Sequence, residues 1–254
     1  MQEIADKICS FIKRKVEKSG ADGVIVGVSG GLDSAVTVAL CSKAIGAENV
    51  YALILPEKET IKEPALKDAR EIAAMFAGRV EEIDFTDAYR TLAKAMPDFV
   101  DGAKIPNGNL KARLRMCILY YYANKFGLLV AGTGDRSEIE LGYFTKFGDG
   151  GCDFLPIGDL YKGEVQQLAH FLGVPPQVAD KKPSPGLWLG HTAEEELGLP
   201  YQVVDELLKA FSAGEKAEDA AGRLKIKKEA ALKIKKMAEE SGHKRELPEV
   251  CRLK

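Results

Sequence analysis

The stretch Val24-Ile25-Val26-Gly27-Val28-Ser29-Gly30-Gly31-Leu32-Asp33-Ser34 decides the fold. Val24–Val28 is a β-branched run of the kind that forms a strand. It leads directly into Ser-Gly-Gly-X-Asp-Ser, and the apolar stretch from Ala35 to Ile45 reads as the helix that follows. Two adjacent glycines let the backbone turn with no Cβ in the way, so successive N–H groups can converge on one concavity. The positive end of the helix adds to that concavity. Ser29 and Ser34 bring hydroxyl donors, and Asp33 brings a carboxylate suited to a metal ion beside phosphate. Together they read as a phosphate cradle; the plainer alternative is a Gly-Gly turn capped by serine and aspartate.

Outward from this stretch, strands alternate with helices. Ile4, Ile8, Phe11, Ile12 and Val16 recur at helical spacing, which predicts an amphipathic helix over 3–18. Val50-Tyr51-Ala52-Leu53-Ile54-Leu55 is too continuous for a one-sided strand and reads as a buried parallel one. Ala65, Ala69, Ile72, Ala73 and Phe76 mark another helix, residues 80–85 a third strand and 86–96 a further helix. Leu128-Leu129-Val130-Ala131 is a fourth strand. This order implies right-handed βαβ units and an α/β fold with a parallel sheet covered by helices on both faces. After Gly132 the period is lost, and short helices are expected near 162–172 and 192–210, then a Lys/Glu/Ala-rich helix over 226–240. One domain over 1–254, with a mostly helical C-terminal part, is the expected organisation.

A chain of 254 residues can bury a sizeable core. Its 36 basic and 38 acidic side chains leave a net charge of −2, which argues against a nucleic-acid partner held by bulk basicity. No apolar run is long enough for a membrane span, and the N-terminal residues alternate charged and apolar with no signal-like core. The cytoplasm is the expected location. The five cysteines form no Cys-X-X-Cys pair, so neither a zinc site nor a disulfide framework is expected. Cys152 has no general base near it in sequence.

Three further segments carry chemistry. The loop is not a Walker A motif, because no lysine follows Gly30-Gly31, and Gly132-Thr133-Gly134-Asp135-Arg136-Ser137 lacks the last glycine of a dinucleotide fingerprint. Thr133-Gly134-Asp135-Arg136-Ser137-Glu138 follows the fourth strand, and ligands of open parallel sheets gather at that end. Thr133 and Glu138 are therefore expected to face the crevice of Ser29–Ser34. Glu138 reads either as a second magnesium carboxylate beside Asp33 or as a solvated acid in a helix's first turn. Residues 142–153 hold four glycines, three aromatics and Lys146, the make-up of a mobile substrate lid or of a Gly-rich surface loop. Finally, 109–126 is apolar on two stripes: Leu110, Leu114, Cys117, Ile118 and Tyr121 on one, Met116, Leu119, Tyr120 and Ala123 on another. A helix of that kind is buried on two sides, in a two-fold homodimer or at the centre of one subunit.

Ser-Gly-Gly-X-Asp-Ser after a strand resembles the pyrophosphate loop of the ATP pyrophosphatase superfamily. Gly-Tyr-Phe-Thr-Lys-Phe-Gly-Asp-Gly-Gly-X-Asp at 142–153, after Gly-Thr-Gly-Asp-Arg-Ser-Glu at 132–138, is similar to the NAD synthetases. The likeness continues through 109–116, Leu155-Pro156, Lys162, Lys182-Pro183-Ser184, Gly186-Leu187-Trp188, Glu196-Leu197-Gly198 and His243-Lys244-Arg245. It implies a Rossmann-like sheet of the adenine nucleotide alpha hydrolase kind. It implies ATP-dependent amidation of nicotinic acid adenine dinucleotide (deamido-NAD) by ammonia, through an acyl-adenylate, with release of AMP and pyrophosphate. On that resemblance Gly27, Val28, Ser29, Gly30, Gly31, Leu32, Asp33 and Ser34, with Thr133, Lys162 and Ser184, contact ATP. Asp33 and Glu138 bind magnesium, and Arg113, Lys146, Asp153, His243 and Lys244 contact the dinucleotide. Asp33, Glu138, Lys162 and Asp153 are the expected catalytic set, and a homodimer the expected assembly. No glutaminase domain is evident, so the nitrogen is expected as free ammonia or from a separate glutaminase. Trp188, Leu189 and the basic run Lys225–Lys236 depart from some relatives. The rival readings are a pyrophosphate-loop enzyme acting on tRNA, which would bring a basic module or paired cysteines, and a non-catalytic nucleotide sensor, which would not need Asp33, Glu138 and Lys162.

Overall fold

The computed structural model describes the chain except residues 185, 187, 189–191 and 254. Leu187 and Leu189, named above for the resemblance and its departures, lie outside the described residues. The elements run α1 Gln2–Ser19, β1 Gly23–Gly27, α2 Leu32–Ile45, β2 Val50–Ile54, α3 Glu63–Phe76, β3 Arg79–Glu82 and α4 Thr86–Ala95. They continue with α5 Lys104–Phe126, β4 Leu128–Val130, α6 Arg136–Leu141, α7 Lys162–Phe171, α8 Pro176–Ala179 and α9 Ala193–Leu197. The C-terminal part is α10 Tyr201–Ser212, α11 Ala217–Leu224, α12 Lys228–Glu240 and α13 Gly242–Arg245.

The sheet is parallel throughout, in the order β3-β2-β1-β4. β1 and β2 are apolar at every core position because both faces are covered. Val24, Val26, Val50, Ala52 and Ile54 point to one layer, with Val36 and Leu40 of α2 and Ile12 of α1. Ile25, Tyr51 and Leu53 point to the other, with Phe85, Tyr89 of α4 and the inner side of α5. Each fully buried side chain of this size contributes about 1.5–3 kcal/mol over an exposed one. A third cluster, around Val204, Leu207, Leu208, Ala220 and Ile234, joins the C-terminal helices and reaches back to Leu141 and Tyr161. No helix among the described residues is long and apolar enough to cross a membrane.

Several expected boundaries move, for local reasons. α2 begins at Leu32, ahead of the expected Ala35, with Gly31 as its N-cap, so Asp33 sits in the first helical turn. β3 is four residues long and mostly exposed, an edge strand where alternation is weak. The helix expected over 192–210 is two helices, broken at Gly198-Leu199-Pro200, where Gly198 takes φ +79° as the C-cap of α9. Beyond β4, Ala131 pairs in parallel with Phe154, which draws the end of the 142–153 segment alongside the sheet.

Candidate active site

The site forms where the carboxyl ends of β1 and β4 meet the first turns of α2, α6 and α7. A cavity of about 850 Å³ opens there, and Gly27 through Ser34, Thr133, Glu138, Ser184, His243 and Lys244 all line it. The loop is preorganised by its own serines. Ser34 Oγ accepts from Ser29 N–H at 3.2 Å and lies 3.1 Å from Ser29 Oγ, which accepts from Gly31 N–H at 3.3 Å. Hydroxyl oxygens thus satisfy the N–H groups that a phosphate oxygen would take over.

Beside the loop, one ammonium meets three carboxylates. Lys162 Nζ lies 2.9 Å from Asp33, 3.0 Å from Glu138 and 2.8 Å from Asp135, and the lysine is 3% exposed. Each partner is placed by a helix start. Asp135 is the N-cap of α6 and accepts from Glu138 N–H at 2.8 Å, while the Glu138 carboxylate reaches back to the Asp135 N–H at 3.4 Å. This is a capping box, and it locks the two acids to one another. Lys162 opens α7; its N–H donates to Ser137 Oγ at 3.0 Å, and Ser137 in turn donates to the buried carboxylate of Asp205 at 2.5 Å. Asp205 also accepts from Gly163 N–H at 2.9 Å, so α10 holds the start of α7 from behind.

The charges do not balance, and the proton affinities follow. Burial would strip Lys162 of its proton, but Asp33, Glu138 and Asp135 outweigh it and hold the ammonium well above its usual range. Burial pushes Asp135 up to about 6 against the opposing pull of Lys162. Burial, with Asp135 and Asp33 close by, also raises Glu138 well above the carboxylate range. One positive charge among three acids leaves a site with room for more positive charge. Asp135 Oδ2 is fully buried, and its contact with Lys162 lies off the hydrogen-bonding direction, so that oxygen has no aligned donor. Among the described residues, no group of three or more acids, histidines and cysteines has metal-ligand geometry. A hard cation such as magnesium fits a site of this kind: one or two carboxylates, with phosphate and water completing the shell.

The expected substrate residues divide. His243 and Lys244 line the cavity, and Lys244 Nζ donates to the carbonyls of Gly142 at 2.7 Å and Phe144 at 3.0 Å. Arg113, Lys146 and Asp153 do not line it. Arg113 is exposed on α5 and donates to the Lys146 carbonyl at 3.2 Å, while Lys146 Nζ reaches the carbonyl of His243. Asp153 accepts from Val130 N–H at 2.7 Å and from Tyr120 OH at 3.1 Å, so its carboxylate ties the segment to β4 and α5. The 142–153 segment is also less of a hinge than its glycines suggest. Thr145 is buried, with its hydroxyl on Asn109 at 2.6 Å, and a Cβ at Gly150 would lie 2.6 Å from the Phe144 ring. These glycines permit close packing, and the segment forms a cavity wall. Burial and Asp153 push the Cys152 thiol up to about 11, which leaves it no thiolate to act as a nucleophile.

Sequence reasoning passed over Asp135, Lys181, Arg115 and the buried pair Glu57–Lys111. Asp135 carried a signal, the Asp-X-X-Glu of a capping box. The others carried none, because their partners are distant in sequence. Arg115 lines the cavity and donates to the Leu55 carbonyl at 3.1 Å; burial lowers it to about 10, with Glu57 and Asp149 countering.

A phosphate loop at the end of a central parallel strand, facing two carboxylates and a buried lysine, defines a nucleotide-binding α/β protein that handles ATP phosphates. The comparisons make this particular. A family profile for NAD synthase matches residues 4–248. The NH(3)-dependent NAD(+) synthetase of Archaeoglobus fulgidus is 45% identical over 253 residues, covering 100% of this chain and 98% of the relative. The NMN synthetase of Francisella tularensis superposes with a TM-score of 0.87 at 34% identity, over 99% of this chain and 98% of that one. The NH3-dependent NAD synthetase of Campylobacter jejuni, in complex with the nitrate ion, superposes with a TM-score of 0.82 at 31% identity, over 99% of each chain. The chain belongs to the NAD synthase family, and its sheet and helices have the adenine nucleotide alpha hydrolase-like fold.

Proposed function

We propose that this chain is an ammonia-dependent NAD synthetase, a ligase that converts deamido-NAD to NAD with ATP and ammonia. The observation that carries this reading is the meeting of the serine-lined phosphate loop with Asp33 and Glu138 on one cavity, both carboxylates held from behind by the buried Lys162. Chemistry requires activation, because a carboxylate offers ammonia only a poor leaving group. A nicotinate oxygen attacks the α-phosphorus of ATP; the bond to the bridging oxygen breaks, and pyrophosphate departs. The N–H groups of Ser29–Asp33 and the α2 terminus bind the phosphates, and Lys162 offsets charge that grows on the phosphoryl oxygens. Asp33 and Glu138 would hold magnesium, which when bound supplies charge neutralisation of the phosphates. Neutral ammonia then adds to the acyl carbon, AMP leaves, and the excess proton passes to solvent or a nearby carboxylate. The wall formed by 142–153, pinned by Lys244, keeps water from the adenylate.

The assembly belongs to the same proposal. α5 leaves Leu114 and Ile118 half-buried and Cys117 and Tyr121 exposed, an apolar face that a second copy would cover. A two-fold homodimer through this face places Arg113, Lys146 and Asp153 at the subunit boundary, where the dinucleotide can reach them. Magnesium as the metal, the cytoplasm as the location and a separate glutaminase as an optional ammonia donor complete it. The test is incubation with 15N-ammonia, MgATP and either deamido-NAD or nicotinic acid mononucleotide. We expect labelled NAD with one AMP and one pyrophosphate per turnover. Preference for the mononucleotide would move the chain toward the activity named for the Francisella neighbour, and no labelled amide from either acid would overturn the proposal.

A further inference from the structure

The peptide joining Gly30 to Gly31 is held at both ends. Lys181 Nζ donates to the Gly30 carbonyl at 3.0 Å, while the Gly31 N–H points the other way, to Ser29 Oγ at 3.3 Å. Lys181 is itself fixed by Asp68 on α3, at 2.7 Å. Gly30 takes φ +77°, and a Cβ there would lie 2.3 Å from the Ala65 carbonyl, so the loop rests directly on the backbone of α3. Lys181 lines the cavity, three residues before Ser184. It therefore ties together the phosphate loop, α3 and the segment that carries Ser184.

A phosphate cradle works only when N–H groups face the anion and carbonyls face away. A peptide between two glycines has no Cβ on either side to resist rotation of its plane. An inward Gly30 carbonyl would set a partial negative charge against the phosphates. We infer that Lys181 is a positioning residue of the phosphate loop: it holds the Gly30 carbonyl outward and keeps the Gly31 N–H aimed into the cradle. The charged donor also polarises the peptide it grips, which makes the Gly31 N–H a better donor to an anion. This rests on the ATP reading above and adds to it a residue outside the loop.

The test compares wild type, Lys181→Met, Lys181→Arg and Asp68→Asn by calorimetry, using a non-hydrolysable ATP analogue with magnesium and, separately, adenosine. Loss of a charge-assisted hydrogen bond predicts about ten- to hundred-fold weaker analogue binding for Lys181→Met. Adenosine binding should change by less than about twofold, since no phosphate is present. Lys181→Arg, which can still donate to the carbonyl and pair with Asp68, should recover most of the loss. Asp68→Asn should shift analogue binding in the same direction by less. In turnover, the KM for ATP should rise while those for the acid substrate and ammonia stay put. Wild-type analogue binding by Lys181→Met, or equal losses for adenosine and analogue, overturns the inference. A wild-type chain that binds the analogue but forms no NAD would sink the catalytic proposal alone. One that binds no analogue would sink both.

Discussion

Glu138→Gln should make the protein more stable while it destroys activity. Glu138 gains from Lys162 at 3.0 Å, but it shares that ammonium with Asp33 and Asp135. At an effective dielectric near 20, attraction at 3 Å is about 5.5 kcal/mol, and repulsion from two carboxylates roughly 5 Å away sums to about 6.6 kcal/mol. Burial adds to the cost of the charge, which is why Glu138 binds its proton so firmly. Glutamine keeps an oxygen for Lys162 and removes the repulsion, and gives up only the long 3.4 Å capping bond from Asp135 N–H, so a net gain of about 1–3 kcal/mol follows. For a chain of this size that is a rise in Tm of about 2–12 °C. The sign depends on pH. Below pH 4.5, the unperturbed value, Glu138 is protonated folded and unfolded and costs nothing. As pH rises through the raised folded value, the wild type loses stability that the variant keeps, so the gap should widen toward pH 8. Thermal unfolding in chelator from pH 4 to 8 reads this directly. A variant less stable than wild type at pH 8, or a gap independent of pH, would refute the charge accounting.

Other expected outcomes follow from the same contacts. Asp33→Asn should cut turnover at least about a hundredfold with the fold intact, and the defect should appear in pyrophosphate release; it should be less than additive with Glu138→Gln in a double-mutant cycle. Glu57→Gln should lower Tm by about 6–20 °C, because it strands Lys111, whose side chain is 8% exposed, at a cost of about 3–5 kcal/mol. Burial would raise Glu57, but hydrogen bonds from Lys111, Thr60 and the Glu59 N–H outweigh it and set it below 4.5. That stability is therefore present above pH 4.5 and lost as pH falls through the lower folded value, and adding Lys111→Met to Glu57→Gln should restore most of it. Sedimentation should give twice the 27.6 kDa chain mass, and Tyr121→Asp should shift it toward the monomer; wild type at 27.6 kDa at micromolar concentration would contradict the dimer.

The parts of the site that could be read from sequence are those made of neighbours. Val24–Val28 and Ser29–Ser34 form strand, loop and helix start in one run, and local chemistry dictates each step. Glu138 was within reach for the same reason, since its helix begins directly after β4. Lys181 was not, because its partners are 151 and 113 residues away, and a Lys-Lys-Pro segment looks like any solvated turn. The glycines of 148–151 were read as slack because a glycine that swivels and a glycine that packs look alike in sequence. Here Thr145, Phe144 and Met116 fill the space a side chain would need. The hold of the Asp153 carboxylate on the β4 backbone and Tyr120, set by the pairing of Ala131 with Phe154, is a tertiary effect with no local signature.

In the proposed reaction the acid is activated by transfer of AMP to its carboxylate. The most direct measurement uses deamido-NAD carrying 18O in both carboxylate oxygens, with MgATP and ammonia, and follows the label by mass spectrometry. Attack of a carboxylate oxygen on the α-phosphorus requires one 18O in the phosphate of every AMP released, one in the amide of NAD, and none in pyrophosphate. Label in pyrophosphate or in inorganic phosphate, or AMP free of label while NAD forms, would contradict the account.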